Sequence, residues 1–221
     1  MGDMDEGPNI LGRGYEIVHL DSHLIVINKS CGILSVPGIG PEKADCIAVR
    51  VAAEFAGARI VHRLDRDTSG LMVMARDAET HRKVSMQFEA RTVRKRYTAL
   101  VGGHPIHDNG KIDLPIAKDF DRSPRQKIDP VHGRPSVTLY EVVERIETPI
   151  SARVHLHPQT GRSHQLRLHL LMIGHAILGD DLYASDEIRA LSSRLCLHAD
   201  QLAFTNPATD EFLAFKSAAP F

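Results

Sequence analysis

Residues 59–75 read RIVHRLDRDTSGLMVMA: two apolar runs of strand length, 59–64 and 71–75, separated by the polar stretch 65–70. The aliphatic residues on either side predict two buried strands, and the connection is too short for a crossover helix. Toward the N-terminus, 15–19 and 23–28 (HLIVIN) read as a hairpin turning at Asp21 and Ser22, and 44–55 carries apolar residues at helical spacing, broken by Gly57. Toward the C-terminus, Asp77 is a natural N-cap for an amphipathic helix over 78–90, with Thr80, Val84 and Phe88 on one face. Strands follow at 93–101 (VRKRYTALV), 136–146, 152–157, 197–204 and 212–216. A helix is predicted over 164–173, capped by Ser163 and closed by Gly174, and a second over 188–195. The Pro- and Gly-rich stretch 102–135 is expected to protrude as loops or an arm. Strands outnumber helices and most connections are short, which predicts an α+β fold on a mixed, largely antiparallel sheet. Residues 15–221 are expected to form a single domain, with 1–14 as an N-terminal tail.

The 221 residues, 43% apolar and 25% charged, are enough to bury roughly 70% of the unfolded surface without a metal or disulfide staple. Three cysteines, Cys31, Cys46 and Cys196, are odd in number and widely spaced, the pattern of free thiols in a reducing compartment such as the cytoplasm. No apolar stretch approaches the length of a membrane span, and the opening MGDMDEGPNI is acidic where a signal peptide would be basic, so no membrane partner is expected. A formal charge of −1 excludes a uniformly basic polyanion binder, yet residues 59–134 hold 16 basic and 10 acidic side chains. Within that stretch Arg91, Arg94, Lys95 and Arg96 form one cluster, and Lys118, Arg122, Arg125 and Lys127 another. Such runs are commonly solvated faces.

Asp65 follows a buried run and is flanked by Arg63 and Arg66, which favour a carboxylate able to act as base or nucleophile. The same residue types also make Asx-turns, so a purely structural loop stands beside the catalytic reading. Asp67-Thr68-Ser69-Gly70 is near the Asp-Thr-Gly loop of aspartic proteases, but no second copy exists in the chain. In 159–167 (QTGRSHQLR) a helix N-terminus with Arg162 could receive an anion, with Arg167 one turn along; solvated cations on a capped helix are the plainer alternative. His155 and His157 should share a strand face, but no carboxylate or cysteine completes a ligand set, so no metal is expected. Gly38-Ile39-Gly40 lacks the remaining residues of a phosphate loop.

HRLDRDTSG at 62–70, KRYTALV at 95–101 and GRSHQLRLHL at 161–170 together resemble the three signature segments of the RluA family of RNA pseudouridine synthases. NKSCGILSVPG at 28–38, LGDDLYAS at 178–185 and LCLHADQLAFTNP at 195–207 resemble its opening and closing motifs, with Ser30 where the family usually has proline. The resemblance runs from about residue 15 to the C-terminus and implies the pseudouridine synthase catalytic fold without a separate N-terminal RNA-binding domain. It implies isomerisation of uridine to pseudouridine in structured RNA, 23S rRNA or a tRNA anticodon stem-loop, by a monomer needing no cofactor and no metal. By the same resemblance, Asp65 is the essential aspartate, acting either on ribose C1′ or on a ribose proton. Arg167 is the basic residue that pairs with it, and Tyr97 is the tyrosine that stacks on the extruded uracil. A buried uridine must be flipped out to react, and Arg63 is the candidate to fill its place. Lys95, Arg96 and Arg162 are candidate phosphate contacts. A catalytically silent RNA-binding or chaperone module on the same fold, or a metal-dependent hydrolase using His155 and His157, would be the competing functions.

Overall fold

The computed structural model describes residues 10–221. The predicted tail lies outside the described residues over 1–9, and 10–13 form a short helix, α1 (Ile10–Arg13). The chain continues through β1 (Tyr15–Leu20), β2 (Leu24–Lys29), α2 (Ile47–Glu54), β3 (Arg59–Ile60), β4 (Ser69–Ala75), α3 (Ala78–Glu89) and β5 (Arg94–Gly102). The second half comprises β6 (Asn109–Asp113), β7 (Ile116–Lys118), β8 (Gln126–Ile128), β9 (Val137–Glu147), β10 (Ile150–Pro158), α4 (Gln165–Met172), α5 (Asp186–Ala190), β11 (Leu197–Thr205) and β12 (Phe212–Lys216).

The main sheet runs in the order β1-β2-β4-β11-β5-β10-β9-β6, with β3 added on β4 and β12 on β11. Among the described residues only the β4–β11 pairing is parallel, so the sheet is mixed and largely antiparallel, the α+β arrangement that the short connections dictate. Asp21 Oδ1 accepts from the backbone N–H groups of His23 and Leu24, which closes the β1–β2 turn. Asp77 caps α3 by accepting from Thr80 N at 2.8 Å. No helix among the described residues is long and apolar enough to cross a membrane.

Three expectations are corrected. The strand over 59–64 shrinks to the two residues of β3, because the His62 side chain takes over as acceptor for Val73 N and the chain leaves the sheet. The helix over 188–195 becomes the shorter α5, which starts earlier because Ser185 caps it. The 102–135 stretch is mostly ordered: β6 extends the main sheet beside β9, and only β7 and β8 stand off as a two-stranded arm.

Apolar side chains pack in three clusters. One joins β5 and β10 to α4; a second joins β1, β2 and β4 to α2; a third lies beneath α3 on the other side of the sheet. Tyr97 packs against both of the first two. The site therefore lies at the seam where β4, β11 and β5 meet. Gly70 makes that seam possible: its φ is +118°, and a Cβ there would overlap the backbone of Ala199 on β11. Gly70→Ala should cost about 2–4 kcal/mol, from backbone strain together with overpacking. Urea denaturation would read this, and a loss under about 1 kcal/mol would show that β4 and β11 can part without penalty.

Candidate active site

At the seam a cleft of about 780 Å³ is lined by the 62–68 loop, β5, the end of β10 and the start of α4. The loop carrying Asp65 is clamped from below. Lys29, 1% exposed, donates to the carbonyls of Ser30, Ile33 and Arg66 at 2.8, 2.8 and 2.9 Å. Burial pulls its ammonium down to about 8, so it remains mostly charged at neutral pH. Ser35 Oγ donates to Leu64 O and accepts from Leu64 N. These contacts bear on the Asx-turn alternative: backbone, Lys29 and Ser35 hold the loop, and the Asp65 carboxylate takes no hydrogen bond among the described residues. It is left free, half-buried, in the cleft wall.

Leu64, Leu166, Leu197 and Tyr97 are among the residues that supply the apolar part of the lining. Burial, reinforced by the Asp65 charge, pushes the Tyr97 phenol well above its ordinary range, so the hydroxyl is protonated at neutral pH. Arg167 also lines the cleft, yet it is not directly paired with Asp65 as the resemblance implies. Its Nε and Nη2 meet both oxygens of Asp180 at 2.8 and 2.5 Å, and Nη2 reaches Asp181 at 2.9 Å. Burial opposes the guanidinium charge, but Asp180, Asp65 and Asp181 outweigh it and keep Arg167 protonated. Asp65 thus feels Arg167 through space, without a salt bridge between them. The physical reason is geometric: a carboxylate thirteen residues on occupies the fork that Asp65 would need.

Tyr183, which no local sequence signal singles out, backs Arg167 from behind the cleft. Its hydroxyl accepts from Gln126 N in the arm at 2.7 Å and bonds His164 Nδ1 at 2.8 Å, while the Arg167 guanidinium lies 5.3 Å from its ring centroid. Ser163 does not cap α4. His164 stands at the cap position with φ 55°, and the Gln165 side chain closes the turn by accepting from Arg162 N and Thr160 Oγ1.

Arg63, Lys95 and Arg162 line the cleft as expected candidates, together with Arg91 and Arg94. Arg96 does not. It lies on the opposite face of β5, held by Asp200 at 2.5 and 2.9 Å, because alternate strand residues face opposite ways. Against six cleft cations stand two carboxylates, Asp65 and Glu89, and of the six only Arg167 forms a salt bridge among the described residues. A balanced chain thus carries a locally positive cleft. His155 and His157 line different depressions, and no group of three or more His, Cys, Asp or Glu that could hold a metal occurs among the described residues.

His62 closes one side of the cleft, its ring stacked on Phe88 at 4.6 Å and its Nε2 accepting from Val73 N. Burial pushes it down to about 3. Between that value and the ordinary 6.5 the unfolded chain binds more protons than the folded one, so stability is lost as pH falls through this window. His198, pushed down to about 4 by burial, acts in the same direction. Urea midpoints at about pH 7 and about pH 4.5 should therefore differ less for His62→Gln than for the unmodified chain. An unchanged difference would mean that His62 does not govern acid sensitivity.

A carboxylate left free beside a partly buried, protonated phenol, in a cleft whose cations other than Arg167 form no salt bridge among the described residues, is an arrangement for general-base or nucleophilic chemistry on a polyanion. The chain belongs to the RNA pseudouridylate synthase family, which it matches over residues 23–172, and is an isomerase that converts uridine to pseudouridine in RNA. Among its relatives is the dual-specificity RNA pseudouridine synthase RluA of Pasteurella multocida, 48% identical over 206 residues, 93% of this chain and 94% of that one. The RluA of Escherichia coli K12 is 45% identical over 205 residues, 93% of each. Human RNA pseudouridylate synthase domain containing 1 shares the fold at a TM-score of 0.79 and 28% identity, across 95% of this chain and 85% of that one.

Proposed function

We propose that this isomerase modifies defined uridines in structured RNA, in 23S rRNA, a tRNA anticodon stem-loop or both, with Asp65 as its essential group. The free Asp65 carboxylate beside Tyr97 carries the reading. The reaction breaks the bond between ribose C1′ and uracil N1, turns the base, and joins C5 to C1′. The C5 proton leaves and N1 gains one, so the atoms are conserved, the redox state is unchanged and no cofactor is required. Asp65 begins the sequence, either by attacking C1′ or by taking a ribose proton. The Tyr97 ring flanks the uracil, and its hydroxyl relays the late proton transfer, taking up the C5 proton as it passes its own to water. Arg63 fills the space the base leaves, and Lys95 and Arg162 meet backbone phosphates. Arg96, held by Asp200 on the far face, takes no part in these contacts. The chain acts as a single-domain cytoplasmic monomer.

Transcripts carrying tritium at uridine C5 test this directly, because isomerisation releases the label to water. Release from tRNA or 23S rRNA transcripts is the expected result. Binding without release would place the chain with silent RNA-binding modules, and sensitivity to chelators would favour a metal-dependent enzyme.

A further inference from the structure

Arg91 follows α3, Arg134 precedes β9 and Arg162 precedes α4. Arg91 and Arg162 line the cleft, and the charge on Arg162 is disfavoured first by burial and then by repulsion from Arg134 and Arg91. None of the three forms a salt bridge among the described residues, although paired arginines are common elsewhere in the chain. Arg162 Nε is buried and meets no acceptor. A buried guanidinium N–H without an acceptor is costly, and repulsion of the Arg162 charge by Arg134 and Arg91 raises that cost; an anion seated among them relieves both. The setting is also rigid. Arg162 is fixed by the bond from its N–H to the Gln165 side chain, and Arg91 stands at φ 59°, a conformation that an L side chain enters against its preference.

We propose that Arg91, Arg134 and Arg162 clamp a single phosphodiester of the RNA backbone next to the flipped uridine. This rests on the reading of the cleft as the uridine site and adds to it a place where the strand is gripped. Arginine suits the task because its planar fork can meet two phosphate oxygens at once.

Arg91 and Arg134 are exposed, so Arg91→Gln, Arg134→Gln and the double variant should fold normally, as their thermal transitions would verify. With C5-tritiated tRNA or 23S rRNA transcripts, each single change should raise KM about tenfold and leave kcat within about twofold. The slope of log binding constant against log salt should flatten by about 0.7 for each arginine removed. Lysine at either position should restore the slope but only part of the KM. A neutral methylphosphonate moved along the RNA backbone should weaken wild-type binding most at one position, and at that position the double variant should lose little further. Unchanged KM and slope in the double variant, or methylphosphonate penalties equal in both proteins at every position, would overturn the clamp. Wild-type protein that releases no tritium would instead remove the functional reading, while the salt slope, measured without turnover, would still judge the clamp.

Discussion

Asp65→Asn should abolish tritium release from uridine-labelled RNA, by about 10³-fold or more, while the thermal transition and RNA affinity stay close to those of the unmodified chain. The amide has the shape of the carboxylate but can neither attack C1′ nor take a proton from the ribose. Little structural loss is expected, because the loop hangs on Lys29 and Ser35 and the Asp65 carboxylate makes no hydrogen bond among the described residues. A large fall in stability would mean that the side chain was part of the loop's framework after all, and turnover near the wild-type level would remove Asp65 from the chemistry. RNA affinity should hold because the charge deleted is negative, in a wall of Arg63, Arg91, Arg94, Lys95 and Arg162. A modest gain in affinity at low salt would agree with that electrostatics.

The loop bearing Asp65 was legible in the sequence because an apolar-polar-apolar run leaves few alternatives for where the chain turns, and the Asp77 cap and the β1–β2 hairpin were legible for similarly local reasons. Residues whose roles depend on distant partners were not. Lys29 ends β2 and nothing in its NKS neighbourhood signals burial, yet it is 1% exposed, because three carbonyls from two loops converge on its ammonium. Arg96 shared a basic run with Lys95, and only the strand's alternation, together with Asp200 across the sheet on β11, removes it from the cleft. The β5–β11 register shifts between Ala199 and Gln201, opposite Tyr97 and Arg96, and no local periodicity announces such a shift. Tyr183 and Asp180 lay within the LGDDLYAS stretch, but nothing in the spacing says that Asp180 turns back onto a helix thirteen residues earlier. What sequence hid was consistently the supporting layer behind the cleft.

That supporting layer should show the largest effect on stability. Arg167 and Asp180 are 2% and 1% exposed, and removing one partner of a buried pair leaves the other as an uncompensated charge. Asp180→Ala should therefore cost about 3–5 kcal/mol and, for a chain of this size, lower Tm by roughly 6–20 °C. Asp181 cannot make good the loss, since it is exposed and accepts one bond from Arg167. Asp180 Oδ1 also accepts from the backbone N–H groups of Leu182 and Tyr183, so the loop that seats Tyr183 should loosen in the same variant. The double change Arg167→Met with Asp180→Leu separates framework from chemistry. An apolar pair of similar volume has no charge to desolvate and should recover much of the lost stability. It should not recover turnover, because the cleft then lacks the cation that acts on Asp65 through space. Calorimetry and tritium release on the same preparations decide the matter: a double variant that regains both Tm and activity would reduce the ion pair to a structural brace.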